Sequence, residues 1–281
     1  MSSVVLRRYD TLGKESDIEV VSRYLSKASS YFIHDQDSPE FHIVVGGDGA
    51  ILFKDIKKRI LDGKPLLHVH YKKGSTDLND RKSLGFTADL TPEDLPKALD
   101  DIAKGRCFIK KTKLLSCVIN SKIKGLAIND ISIRPKKPFS TLLFSAMLEI
   151  KETSQKEILP SPKCDLLLVS TRQGSTAWNF SVGGAINIDV ENCTHMNFVG
   201  SPILQSHYVY ESKDLLLLNI YTDALVGLDA HNLVCRIKKG DRIDISESEK
   251  HVSFLRTSST IESLMQKIRR QNKFNINGIT G

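Results

Sequence analysis

The sequence has no long apolar run and no regular cysteine pattern. Its longest apolar stretches, such as residues 215–218, fall far short of the roughly 18 residues that a membrane-spanning helix requires. The five cysteines are odd in number, scattered and without a CxxC pair, which predicts reduced thiols in a cytoplasmic protein rather than disulfides or a zinc site. No apolar segment follows Met1, so we expect no secretory signal and no membrane partner.

Two common catalytic signatures are also missing. The chain has neither a GxSxG turn nor a glycine-rich loop ending in Lys-Ser or Lys-Thr, so nothing favours a hydrolase or a P-loop enzyme. The net charge is +7, from 40 Lys+Arg and 33 Asp+Glu. The basic residues are dispersed and are not interleaved with aromatic residues, which favours a solvated surface over a nucleic-acid partner. A modest positive field would still help a polyanionic small ligand to bind.

The spacing of apolar residues changes along the chain. Strands and helices alternate in residues 1–112, which predicts an α/β domain with a parallel sheet. Short strands separated by turns follow in residues 113–258 and predict a mostly β, β-sandwich-like domain. Residues 259–281 are predicted to form a C-terminal helix and tail that pack back on the α/β domain. The predicted strands are 4–8, 41–45, 66–71, 114–119, 126–133, 141–150, 165–171, 215–221, 223–228, 232–238 and 242–246, and the predicted helices are 17–27, 51–61, 91–104 and 261–273.

The strongest local signal is a GGDG turn at residues 46–49. It follows the apolar strand 41–45, and helical spacing starts directly after it. Glycines at a strand-to-helix turn let backbone N–H groups approach a phosphate, whereas the carboxylate of Asp48 would repel one. Asp48 is therefore expected either to accept a proton from an attacking hydroxyl or to hold a metal that bridges phosphates. An exposed aspartate in an ordinary tight turn is the alternative.

Two further segments combine polar residues with apolar strands. Asn129 and Asp130 lie within the predicted strand 126–133, where one of the two should face inward and need a polar partner such as a ribose hydroxyl or a base edge. A strand end with solvent-facing side chains is an equally good interpretation. In residues 165–185 an apolar strand leads into a Gly-Ser-Thr turn, the only tryptophan (Trp178) and a Gly-Gly pair, which suits either a nucleotide or a hairpin packed on a core tryptophan.

His68 and His70 are two residues apart on a predicted strand and should face the same way. A metal could use such a pair, but no third ligand lies nearby in the sequence, which favours ordinary strand histidines.

Taken in order, these segments resemble the NAD kinase family. The family pattern is a GGDG turn, then an Asn-Glu or Asn-Asp pair, then a glycine-rich stretch, here GGDG at 46–49, ND at 129–130 and STRQGSTAWNFSVGG at 170–184. Residues 84–89 are similar to the family's LGF-x-x-D segment, and VGSPI at 199–203 and VGLD at 226–229 also match in order. The likeness spans about residues 41–270 and is greatest to the small Gram-positive-type enzymes. GGDG alone is shared with lipid kinases and phosphofructokinases.

The resemblance implies transfer of the γ-phosphoryl group of ATP, or of polyphosphate, to the 2′-hydroxyl of the adenosine ribose of NAD, with a divalent metal such as Mg²⁺. It implies a homodimer or homotetramer, and it makes Asp48 the general base. The residues that it implies for nucleotide binding are Gly46, Gly47, Gly49, Lys54, Asn129, Asp130, Lys163, Asp165, Thr176, Ala177, Trp178 and Ser181. No residue is implied as a metal ligand.

The chain also departs from the family pattern. Ala50 follows GGDG where the family often has a polar residue, Phe53 stands where a basic residue is common, and Arg172 occupies the place of a proline. These departures concern the phosphoryl donor more than NAD. Two alternatives therefore stay open: an NAD-binding sensor without kinase activity, and a GGDG-type lipid kinase.

Overall fold

A computed structural model describes residues 7–26, 31–71, 87–88, 90–159, 163–188, 190–202, 207–229 and 233–257. The chain divides into two compact units, one of residues 1–111 with 252–281 and one of residues 112–251. Within the described ranges, no helix is both long and apolar enough to cross a membrane.

The first unit contains a parallel sheet. Its elements are β1 (Arg7–Leu12), α1 (Glu15–Leu25), β2 (Phe32–His34), β3 (Phe41–Gly46), α2 (Lys54–Ile60), β4 (Leu66–His70), α3 (Leu95–Ala103) and the last residues of β17 (Arg242–Thr257). The strand order is β17-β4-β3-β1-β2, and the pairs along it are parallel. Every residue of β3 is buried, as expected for a central strand of a parallel sheet. Its odd-numbered side chains join a core with α1 and α3.

The second unit is a sandwich of two mainly antiparallel sheets. Its strands are β5 (Cys107–Ile119), β6 (Lys122–Ala127), β7 (Asp130–Pro135), β8 (Leu142–Ile150), β9 (Gln155–Leu159), β10 (Lys163–Cys164), β11 (Leu166–Ser170), β12 (Cys193–Val199), β13 (His207–Glu211), β14 (Leu215–Ile220), β15 (Ala224–Leu228), β16 (Leu233–Ile237) and the first part of β17, with the short helix α4 (Trp178–Ser181). One sheet has the order β13-β12-β11-β7-β15-β16, and the other includes β8, β14 and β17. Phe144 of β8 and Phe198 of β12 stack 5.9 Å apart in the core between them. The predicted order, α/β followed by a β sandwich, is confirmed.

Several predicted boundaries differ from the structure. The predicted strand 126–133 is two strands, β6 and β7, separated at Ile128 and Asn129. The helix predicted directly after GGDG is a 3₁₀ turn over Asp48–Leu52, followed by α2. The strand predicted at 242–246 continues to Thr257, and because its end pairs with β4, residues 252–257 group with the first unit rather than the second.

Other predictions gave a mixed outcome. Strands β9, β12 and β13 were not predicted, and β1 begins at Arg7 among the described residues. Thr91 and Asp94 form the predicted capping box, but it opens a 3₁₀ turn over Pro92–Asp94, and α3 begins only at Leu95. The predicted C-terminal helix at 261–273 and its packing lie outside the described residues.

Candidate active site

The GGDG turn lies at the carboxyl end of β3. Gly46, the last residue of β3, has φ +144°, and a Cβ there would lie 2.8 Å from the Cβ of Ala50, so the position requires glycine. The N–H of Ala50 donates to the carbonyl of Gly47 at 2.8 Å and closes the 3₁₀ turn. Among the described residues, no atom outside its chain neighbours lies within 4 Å of the Cβ position of Gly49, so a ligand could approach the backbone there.

Asp48 is half-buried and is held by one residue from a distant part of the chain. Its Oδ1 accepts the backbone N–H of Thr87 at 2.8 Å and the hydroxyl of Thr87 at 2.9 Å. Thr87 Oγ1 also lies 2.9 Å from Nδ1 of His68, which is on β4 beside β3. Thr87 and His68 are both buried, at 3% and 4% exposure. The carboxylate of Asp48 is therefore fixed by a short buried chain of hydrogen bonds.

The cationic side chain of Arg256 contacts this group of hydrogen-bonded residues at Thr87. Nη2 of Arg256, near the end of β17, donates to the carbonyl oxygen of Thr87 at 3.4 Å, and the guanidinium lies over the ring of Phe254 at 5.1 Å. Burial lowers the pKa of Arg256 to about 10, so the group stays protonated at neutral pH. Arg256 therefore bonds to the same residue, Thr87, that holds the carboxylate of Asp48.

In the second unit, Asn129 and Asp130 occupy the break between β6 and β7. Both are buried, at 6% and 2% exposure, so the expectation of solvent-facing side chains at a strand end is wrong. The break is stabilised by Asp229, whose carboxylate accepts the N–H groups of Ile128 at 3.0 Å, Asn129 at 2.7 Å and Asp130 at 3.3 Å. Among the described residues nothing bonds to Oδ1 of Asn129, although this atom is buried. A buried acceptor of this kind suits a donor on a ligand.

The Gly-Ser-Thr turn contacts this break directly. The hydroxyl of Thr171 donates to the carbonyl of Ile128 at 2.6 Å, and the N–H of Thr171 donates to the carbonyl of Asn129 at 2.8 Å. Gly174 lies so close that a Cβ there would be 2.0 Å from the carbonyl oxygen of Asn129. Two of the three segments singled out by the sequence therefore form one structure within the second unit.

The segment after this turn is fixed by Asn179. Its buried side chain donates to the carbonyls of Ser175 at 3.2 Å and Ala185 at 2.9 Å, and its Oδ1 accepts from Asn197 of β12 at 2.6 Å. These bonds hold α4 and the residues on both sides of it. Thr176, Ala177 and Trp178 are half-buried at this position, and Ser181 is exposed.

Other predicted binding residues lie at the surface. Lys54 begins α2 and is exposed, as is Phe53 before it, at 50%. Lys163 on β10 and Asp165 after it are also exposed, and the N–H of Asp165 donates to the carbonyl of Val199 at 2.8 Å. Arg172 forms an ion pair with Glu191 at 3.6 Å.

Within the described part of the chain, no group of three or more His, Cys, Asp or Glu side chains could hold a metal ion. His68 instead bonds to Thr87, and all five cysteines are free thiols.

Curated relatives of the chain are NAD kinases, although no family model matches it. The NAD kinase of Buchnera aphidicola subsp. Schizaphis graminum is 26% identical over 242 residues, which cover 83% of this chain and 77% of the relative. The NAD kinase of Shouchella clausii is 28% identical over 272 residues, which cover 91% of this chain and 94% of the relative.

Solved structures share the fold. An NAD kinase from Archaeoglobus fulgidus in complex with ATP superposes with a TM-score of 0.73 at 19% identity and covers 94% of this chain and 99% of its own. A yeast NADH kinase complexed with NADH gives a TM-score of 0.73 at 15% identity, covering 98% of this chain and 89% of its own. Over most of its length, this chain is thus similar to NAD kinases in sequence, and it shares their fold.

Sequence reasoning missed the residues that support the family motifs. Thr87 contacts the GGDG aspartate and His68 contacts Thr87, whereas Asp229 and Asn179 hold the two segments of the second unit. Asp229 and Asn179 did belong to matched family segments, but nothing in the sequence indicated their contacts. Of residues 84–89, only Thr87 and Ala88 lie within the described residues.

Proposed function

We propose that this protein is an NAD kinase that transfers the γ-phosphoryl group of ATP to the 2′-hydroxyl of the adenosine ribose of NAD, forming NADP. The observation that carries the proposal is the GGDG turn, which presents a carboxylate held in one orientation by Thr87 at the carboxyl end of a parallel strand. Ligands of open α/β sheets bind at this end of the strands.

Asp48 is the proposed general base. An alcohol is a weak nucleophile at neutral pH, so a carboxylate in contact with the 2′-hydroxyl would accept its proton as the oxygen attacks the γ-phosphorus. The bond from the γ-phosphorus to the bridging oxygen then breaks, and ADP leaves. The open backbone at Gly49, with Gly46 and Gly47, is the proposed approach for phosphates, and Lys54 is proposed to add a charge that attracts them.

The second unit supplies the proposed recognition of NAD. The buried Oδ1 of Asn129 would accept a hydrogen bond from the adenine amine, and Asp130 would bind the ribose hydroxyls. Thr176, Ala177, Trp178 and Ser181, together with Lys163 and Asp165, are the further proposed contacts to the dinucleotide. Trp178 would offer a ring face for stacking.

Magnesium is proposed to enter with ATP as part of the substrate, where it would neutralise the triphosphate.

We further propose a cytoplasmic homodimer or homotetramer. Its five free thiols suit a reducing compartment, and the oligomer follows from the family resemblance. Light scattering on the purified chain tests the assembly, and a monomer at micromolar concentration would contradict it.

The experiment that tests the activity is NADP formation from NAD with Mg–ATP, and in parallel with polyphosphate, alongside calorimetric binding of NAD. An NAD kinase forms NADP with at least one donor. Binding of NAD without turnover with either donor would replace the proposal with a sensor. Phosphorylation of a sphingoid base or diacylglycerol in place of NAD would indicate a lipid kinase.

The variant Asn129→Ala tests the proposed role of Asn129 in binding NAD. It should raise KM for NAD about tenfold or more, because one buried hydrogen bond is lost, while kcat with saturating NAD changes less. An unchanged KM would contradict the role given to Asn129.

A further inference from the structure

The hydrogen bonds around Asp48 determine where one proton must lie. Thr87 Oγ1 is within 2.9 Å of both Oδ1 of Asp48 and Nδ1 of His68, but a threonine hydroxyl has only one proton to donate. An ionised carboxylate can only accept. While Asp48 is ionised and bonded, the hydroxyl proton therefore points to Asp48, and His68 must donate from Nδ1.

We propose that His68 is a positioning residue for the base: its Nδ1–H donates to Thr87 Oγ1 and so holds the hydroxyl proton of Thr87 on Asp48. If Nδ1 carried no hydrogen, it would compete with Asp48 for that proton. This inference rests on the proposed function for its catalytic consequence, but the tautomer that it requires does not.

The arrangement has two consequences for Asp48. Both donors of Thr87 bond to Oδ1, so this oxygen of the carboxylate has a fixed position. Hydrogen bonds donated to a carboxylate also stabilise its charged form, which keeps the base ionised at a lower pH.

The hydrogen bonds among Asp48, Thr87 and His68 are strengthened by burial. Thr87 is 3% exposed and His68 is 4% exposed, so water competes little for either group. Among the described contacts, the titratable groups that reach this cluster are His68 from β4 and Arg256 from β17, the latter through the carbonyl of Thr87.

The first test needs no activity. In ¹⁵N-labelled protein the side-chain resonances of His68, assigned among the eight histidines with His68→Asn, should show a protonated Nδ1. A neutral ring protonated only on Nε2 would overturn the inference whether or not the protein is a kinase.

The second test uses the pH dependence of kcat in two matched pairs of variants. Thr87→Val and His68→Leu remove the hydroxyl and the donor, whereas Thr87→Ser keeps the hydroxyl and His68→Asn places an amide N–H₂ near the position of Nδ1. The valine variant should shift the acidic limb of the profile upward by about one pH unit, because Asp48 loses one hydrogen bond in its charged form. The leucine variant should shift it by less, because the hydroxyl of Thr87 keeps its proton and loses only the bond that fixes its direction. The serine and asparagine variants should restore the limb toward its wild-type position.

An acidic limb that stays in place in Thr87→Val would overturn the inference even if activity falls, since a merely structural role would lower kcat at every pH. The valine variant is nearly isosteric and keeps the test open should the leucine variant fail to fold. If the wild type makes no NADP with either donor, the proposed function fails, and the tautomer measurement alone decides the inference.

Discussion

Gly174 is the residue on which the contact between the Asn129 break and the Gly-Ser-Thr turn depends. Its backbone lies against the carbonyl of Asn129 so closely that a Cβ would be 2.0 Å from the oxygen. The neighbouring atoms belong to the backbone of Asn129, which cannot move aside as the end of a flexible side chain can. Any larger residue must therefore push the two segments apart.

Gly174→Ala should lower the free energy of unfolding by about 2–4 kcal/mol and weaken NAD binding by tenfold or more, because the turn can no longer reach Asn129. Urea unfolding and calorimetric titration with NAD measure the two effects. Gly49→Ala is the matched control for stability, since no atom lies within 4 Å of its Cβ position. Equal stability of the two variants would contradict the role of Gly174.

Asp229 is the residue that shapes the strand break. It is fully buried, has φ +53°, and accepts three consecutive backbone N–H groups. Asp229→Ala would leave these buried donors without their acceptor, and should cost about 2–4 kcal/mol of stability. Asp229→Asn tolerates the same backbone conformation and keeps one acceptor oxygen, so it should cost less. Denaturant unfolding of both variants checks this order, and a loss below about 0.5 kcal/mol for the alanine variant would contradict it.

At the scale of elements, β12 and β13 bring together a buried histidine, His195, and a half-buried one, His207. Nδ1 of His195 lies 3.5 Å from Nε2 of His207, and Cys193 Sγ lies 3.7 Å from Nε2 of His195. Burial, and then the neighbouring His207, lower the pKa of His195 from 6.5 to about 4, and burial lowers the pKa of His207 as well. The folded protein thus keeps His195 neutral in mildly acidic solution.

The sign of the resulting pH dependence follows from linkage. Between pH 6.5 and about 4 the unfolded chain binds a proton at His195 that the folded protein does not. Stability is therefore fully present above pH 6.5 and is lost as the pH falls, by up to about 3 kcal/mol for this residue. Unfolding free energies of the wild type and of His195→Gln at pH 7 and pH 5 test this. The variant should lose less stability on acidification, and an equal loss would show that His195 is not responsible.

Some of the elements could be predicted from the sequence and others could not. The change from alternating strands and helices to short strands was enough to predict the order of the two kinds of domain. Strand β12 was not predicted because Thr194, His195 and Asn197 are polar yet buried, and their side chains bond to groups brought in by other parts of the chain. The break at Asn129 was hidden for a related reason, since the acceptor that stabilises it is Asp229, about a hundred residues later.

The same reason limits what the sequence predicted of the site. Asp48, Asn129 and Asp130 were identified from short motifs, because each carries its own chemistry in a recognisable local pattern. Thr87 and His68 were not, because their roles exist only through contacts across 39 and 19 residues of chain. The family roles of the individual residues stay predictions until they are tested by substitution.

For the whole molecule, the account combines a parallel α/β unit that presents a carboxylate with a β sandwich that presents buried groups for a dinucleotide. The curated relatives are NAD kinases and the fold is shared with solved NAD kinases, whereas the departures at Ala50, Phe53 and Arg172 concern the phosphoryl donor. The lipid-kinase alternative has no support from the relatives, which are NAD kinases. A wild-type protein that binds NAD but forms no NADP would be a sensor and not a kinase.

The most direct measurement is the rate of NADP formation by the wild type and by Asp48→Asn, with NAD and Mg–ATP saturating and NAD affinity measured on the same samples. The account predicts that the wild type turns over and that the asparagine variant binds NAD equally well but loses about 10²–10⁴-fold in kcat, because a neutral amide cannot accept the proton of the 2′-hydroxyl. A variant that retains wild-type kcat, or a wild type that binds NAD and forms no NADP, would contradict it.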